Sequence, residues 1–128
     1  MENVARAIAY LAYAVASADH HVDEIERKAI HAYIDEHWQL LADQEDPFGA
    51  KTLDFVDRMI PALEANHMTS EEAYDHFKEI FEGRKQDFSR ELRTFIVQLC
   101  IRTGAAFNQM NKSELVLISR VELLLKSH

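Results

Sequence analysis

The chain has 128 residues, 48% of them hydrophobic, with 22 acids against 14 bases and a formal net charge of −8. That length supports one domain with a real core, and the hydrophobic share excludes a disordered chain. The acid excess, with no basic run, excludes the clustered Lys and Arg that neutralise phosphates, so nucleic acid is not an expected ligand.

Only three Gly and two Pro interrupt the chain, which favours long helices. Ile8, Leu11, Ala12 and Val15 follow helical spacing in an alanine-rich stretch that ends near Ala18. This stretch imitates a signal peptide, but Glu2 offsets Arg6 ahead of it and it is too short to span a bilayer. It reads as a core helix, with no direct membrane insertion and a cytoplasmic location expected. Asp19, His20 and His21 break the pattern. A second helix is expected from about Asp23 to Leu41, with Val22, Ile25, Ala29, Ile30, Tyr33 and Ile34 on one side. Its start has capping-box spacing, Asp23 to Glu26.

Gln44 to Gly49 is the clearest loop. Leu53, Val56, Met59, Ile60 and Leu63 mark a third helix, in which Pro61 is the point for a bend or split. Thr69 to Glu72 opens a fourth, carrying Ala73, Phe77, Ile80 and Phe81 and ending near Gly83. Ser89 opens a fifth through Leu92, Phe95, Ile96, Leu99 and Cys100, and Asn111 to Glu114 a sixth with Ile118, Val121 and Leu125 inward. The expected fold is all-α, a compact bundle of about six helices in one domain, residues 1–128. Cys100 is the single cysteine, which excludes an intrachain disulfide, and its apolar neighbours mark it as a buried, inert thiol. Phe48, Phe55, Phe77, Phe81 and Phe88 read as core and loop packing, and Trp38 as an edge residue for an interface or the central loop.

The two ends of the chain match at an offset of 88 residues: Ile8 with Ile96, Leu11 with Leu99, Val22 with Met110, Asp23 with Asn111, Glu26 with Glu114 and Ile30 with Ile118. A helix-loop-helix unit is thus expected twice, over about 5–41 and 89–127, around a central helical insert at about 50–83. Glu26 falls within the apolar stripe of its helix, and Glu114 holds the same place in the other half. A carboxylate facing a core is costly unless something satisfies it. Two sources are available: backbone N–H groups of the first turn, as in a capping box, or a divalent metal bridging Asp19, Asp23, Glu26 and Glu114.

Ala18 to Glu26, with Asp19, Val22 and Glu26 in place, resembles the TerB-like motif Ala-Asp-Gly-x-Val-x-x-x-Glu, preceded here by an alanine-rich helix. A second copy falls where that family repeats it. The resemblance spans nearly the whole chain. It implies a compact helical bundle of the type found in tellurite-resistance proteins and membrane-anchored co-chaperones. It further implies stress-linked binding, sometimes with metal on the motif acids, and no settled catalysis. The acidic motifs depart from the pattern: His20 replaces the Gly, Phe107 the second Asp and Asn108 the second Gly.

His20 and His21 also suit a transition metal beside Asp19 or Asp23, or stand as solvated loop residues. His31 with Asp35, and Glu72 with His76, share helix faces at i, i+4, a pairing common on helix surfaces. No metalloprotease spacing, nucleophile triad or glycine-rich phosphate loop is present. The expected function is a non-enzymatic binding module for a protein partner or a divalent cation. The alternatives are a metal-dependent hydrolase built on Asp19, Asp23 and His21, and a homodimeric scaffold with a contiguous exposed apolar patch.

Overall fold

The first helix, α1 (Glu2–Ala16), is buried on every side from Ala7 to Ala16. In the computed structural model, which describes residues 2–18, 22–42, 46, 49–106 and 111–126, this helix is the axis around which the others pack. Its alanines (Ala7, Ala9, Ala12, Ala14 and Ala16) are all essentially inaccessible, and their small side chains allow close approach on several faces. A helix that is apolar all round belongs in a core.

The others are α2 (Glu24–Glu36), α3 (Ala50–Ala65), α4 (Ser70–Gly83), α5 (Arg90–Ala105) and α6 (Lys112–Lys126), with 3₁₀ turns at Trp38–Leu40 and Lys85–Asp87. No strand occurs among the described residues. The fold is all-α, as the periodicity predicts. α1 packs chiefly on α3, α4 and α5, while α5 also supports α2 and α6. Phe77 and Phe81 of α4, Ile96 and Leu99 of α5, and Ile118 and Val121 of α6 close the core over it.

Two boundaries differ from expectation. The second helix stops at Glu36 and gives way to a 3₁₀ turn, which still delivers Leu41 to the core at 0% exposure. α3 runs through Pro61 without splitting. Pro61 and Asp57, the residue four earlier, are both exposed, which is where a carbonyl deprived of its helical donor costs least. Phe77, Phe81 and Phe88 are core residues and Phe55 is half-buried, while Phe48 and the side chain of Trp38 lie outside the described residues.

The entry to α3 is pinned by Asp46. Its carboxylate accepts hydrogen bonds from Lys51 N (3.0 Å), Thr52 N (2.9 Å) and the Thr52 hydroxyl (3.0 Å), and its carbonyl accepts from Gly49 N (3.1 Å). Gly49 adopts a left-handed φ of 68°, a conformation glycine takes without steric cost. Burial raises the pKa of Asp46 and the three hydrogen bonds lower it; the bonds prevail, holding it below the ordinary carboxylate value.

Candidate functional site

Asp23 starts α2 in extended geometry, with φ −84° and ψ 151°. Its Oδ1 accepts from Ile25 N at 2.9 Å, and Glu26 Oε1 accepts from Asp23 N at 3.0 Å, closing a reciprocal capping box. Asn111 Oδ1 accepts from Glu114 N at 2.9 Å, and Glu114 Oε1 from Asn111 N at 3.1 Å. Glu26 is 0% exposed and Glu114 2%. A third box, Thr69 with Glu72, opens α4, and there the glutamate is exposed. The box alone therefore does not bury a glutamate. Burial at the two matching starts comes from where α2 and α6 lie against the core.

Other positions paired by the 88-residue offset also share their burial. Ile8 and Ile96, Leu11 and Leu99, and Ile30 and Ile118 are all inaccessible or nearly so. Asp19, His20 and His21, with Phe107, Asn108 and Met110 of the second half, lie outside the described residues. Of the four acids expected to ligate a metal, the structure thus places Asp23, Glu26 and Glu114, each with an oxygen bonded to a helix-start amide. Among the described residues no group of three or more His, Cys, Asp and Glu side chains is placed to hold a metal ion.

One carboxylate at the first motif comes from a distant helix. Glu64 of α3 accepts from Val22 N through Oε2 at 2.9 Å. The amides of Val22, Asp23 and Ile25 are thereby all taken by carboxylates. Nothing in the local pattern singles out Glu64, because its partner lies 42 residues away.

Glu64 also lines an open groove of about 870 Å³ between the end of α1, the α3–α4 turn and the first two turns of α6. Tyr13 donates to Met68 O at 2.6 Å and Ser70 to Ala14 O at 2.6 Å, joining α1 to the α3–α4 turn. His67 turns the chain there with φ 57°. Burial and, next, the Glu64 charge push the Tyr13 phenol above its ordinary pKa. On the far wall Arg120 makes two hydrogen bonds to Glu71, at 2.8 and 3.0 Å, and lies over Tyr74 at 4.2 Å. That Arg120 fork holds the Glu71 carboxyl below its usual pKa.

The remaining histidine expectations resolve otherwise. His31 Nδ1 lies 2.8 Å from Asp57 Oδ2, so the carboxylate it meets is across the α2–α3 interface. His76 stacks on Tyr10 with centroids 4.6 Å apart. Cys100 is fully buried, and desolvation pushes its thiol up to about 12, as an inert core cysteine requires.

These features define the class: an all-α bundle in which two matching helix starts turn amide-bound glutamates into the core. The chain belongs to the TerB family, since the family's sequence model, described as Tellurite resistance protein TerB, matches residues 5–127. No curated protein and no solved structure matches the chain. No helix among the described residues is long and apolar enough to cross a membrane.

Proposed function

We propose that this TerB-family chain is a non-enzymatic binding module that engages a protein partner through α6 and the groove beside it. The observation that carries this reading is the distribution of exposed apolar side chains. Leu115 (52% exposed), Val116 (52%) and Leu123 (70%) all lie on α6. At 3.6 residues per turn they fall within roughly 100° of one another, on one face. Val116 also lines the groove, so the apolar strip and the concave surface are continuous. A clustered apolar surface on a soluble domain marks an interaction site more often than scattered residues do.

A divalent cation is the second ligand class of this reading. Its support is the match of Asp19 and Glu26 to the acidic family motif, with Asp23 between them and Glu114 at the corresponding position of the second half; the described acids of this set are bonded to helix-start amides and form no assembled cluster. The family's tellurite-resistance description supports a role in a stress response.

Photo-crosslinking tests the partner. A benzophenone side chain at Val116 or Leu123 is expected to yield adducts of defined mass in cells, and one at the exposed Glu79 of α4 none. No adduct from α6, or equal labelling from Glu79, refutes the surface. Adducts at twice the chain mass support the homodimeric scaffold in its place. The cation is tested by melting in calcium, magnesium or zinc: a bound ion raises the melting temperature by mass action, and Asp19→Asn removes the rise. No rise at millimolar metal leaves the amide caps as the whole role of the buried acids.

A further inference from the structure

The other end of α6 carries a site of different chemistry. Between the start of α5 and the last turn of α6 lies a cleft of about 600 Å³, a size typical of small-molecule sites. Its floor is apolar: Phe88 and Leu125 are buried and Val97 is half-buried. Its rim carries Arg90, Arg93 and Lys126 against one acid, Glu122. In a chain with a formal net charge of −8, this is a local excess of positive charge.

Those cations are not spent on carboxylates. Lys28, Arg58, Arg84 and Arg120 each pair with an acid, whereas among the described residues Arg90, Arg93 and Lys126 form no ion pair. Arg93 is half-buried and held in place by neutral groups. It donates from Nε to Phe88 O (2.9 Å), from Nη1 to Leu125 O (2.8 Å) and from Nη2 to Lys85 O (3.4 Å), and its guanidinium lies 5.0 Å from the Phe81 ring centroid. Three carbonyls fix its orientation without cancelling its charge, and they use three of its five donors. A guanidinium held in place before binding loses little entropy when an anion arrives. Arg90 and Lys126 are exposed and line the same cleft.

We infer that this cleft binds a monoanion with an apolar body: a carboxylate held by Arg90, Arg93 and Lys126, with its hydrocarbon part on Phe88, Val97 and Leu125. Glu122 on the rim disfavours a more highly charged anion. The same chemistry is offered by a free aliphatic acid and by the C-terminal residue of an apolar peptide. The inference does not rest on the partner reading: the cleft shares no lining residue with the groove, and Leu123 of the apolar strip, though in the same last stretch of α6, does not line the cleft.

The test uses the intact chain, ¹⁵N-labelled, titrated with octanoate and with octan-1-ol, and in parallel with an N-acetylated Leu-rich peptide whose C-terminus is free or amidated. Octanoate or the free-acid peptide is expected to shift the amides of Thr94, Val97 and Leu125. Binding of the matching alcohol or amide is expected to be about tenfold weaker. The double variant Arg90→Gln/Lys126→Gln is expected to weaken carboxylate binding about tenfold at an unchanged melting temperature, because neither side chain is paired. Arg93 is kept, since it holds the last turn of α6. Binding of octanoate alone assigns the site to free acids, and of the peptide alone to a chain terminus. Binding by neither, equal binding of the neutral analogues, or full binding by the double variant overturns the inference.

Discussion

Truncating Glu26 separates a cap from an ion site. In Glu26→Ala the part-buried N–H of Asp23 loses its 3.0 Å acceptor, and the Glu26 side chain, 0% exposed, is lost from the core. Losing a helix cap costs about 1 kcal/mol, and removing the buried Cγ methylene about 0.8 kcal/mol. Together these amount to about 1.8 kcal/mol, or a fall in melting temperature of roughly 7 °C for a domain of this length. Glu26→Gln keeps both methylenes and the accepting oxygen, so its cost is expected to stay within about 1 kcal/mol. Urea and thermal unfolding followed by circular dichroism, in EDTA, measures both. The same pair of changes at Glu114, which accepts from Asn111 N, is expected to give the same ranking. If Gln damages stability as much as Ala without metal, the charge itself is required and capping by amides fails as the account. If Ala costs under about 1 kcal/mol, the burial argument fails as well.

Asp46 sets an acid limb of stability. Its pKa in the folded chain lies below the ordinary value, so its contribution is complete above that value and is lost as pH falls through the folded one. Urea midpoints measured from pH 7 to pH 2 are expected to drop in that window, and Asp46→Asn to flatten the drop; an unchanged limb refutes the assignment. Cys100, with its thiol pushed up to about 12, is expected to resist alkylation at pH 8 until the chain unfolds. Mass spectrometry after iodoacetamide checks this, and rapid labelling of the native chain contradicts it. Tyr13→Phe removes the hydrogen bond to Met68 O and is expected to cost about 1 kcal/mol in the same urea assay, with no loss as the contrary result.

What was legible in the sequence was whatever is local or periodic. The stripes of α1, α3, α4, α5 and α6 name their buried residues, and Asp23, Thr69, Ser89 and Asn111 are visible as helix starts because a cap needs only its own next three residues. The 88-residue offset further signals that Glu26 and Glu114 turn inward. Pairings across helices were not legible. Glu64 reaches Val22, His31 reaches Asp57 and Arg93 reaches Leu125 over separations of 42, 26 and 32 residues, set by how the helices pack. No local pattern marks Asp46, because its partners, at positions 51 and 52, lie beyond capping-box spacing. At Pro61, of the bend or split that the local rule offers, the split does not occur, and both Pro61 and Asp57 are exposed.

The central helix carries a cost in time. Its faces are covered largely by α3, α4 and α5, the last of which begins at Arg90. During synthesis it leaves the ribosome dozens of residues before that cover exists. For that interval an almost wholly apolar rod is solvent-bound and able to associate with other nascent chains. Translation speed between α2 and α5 therefore sets how long the rod stays uncovered.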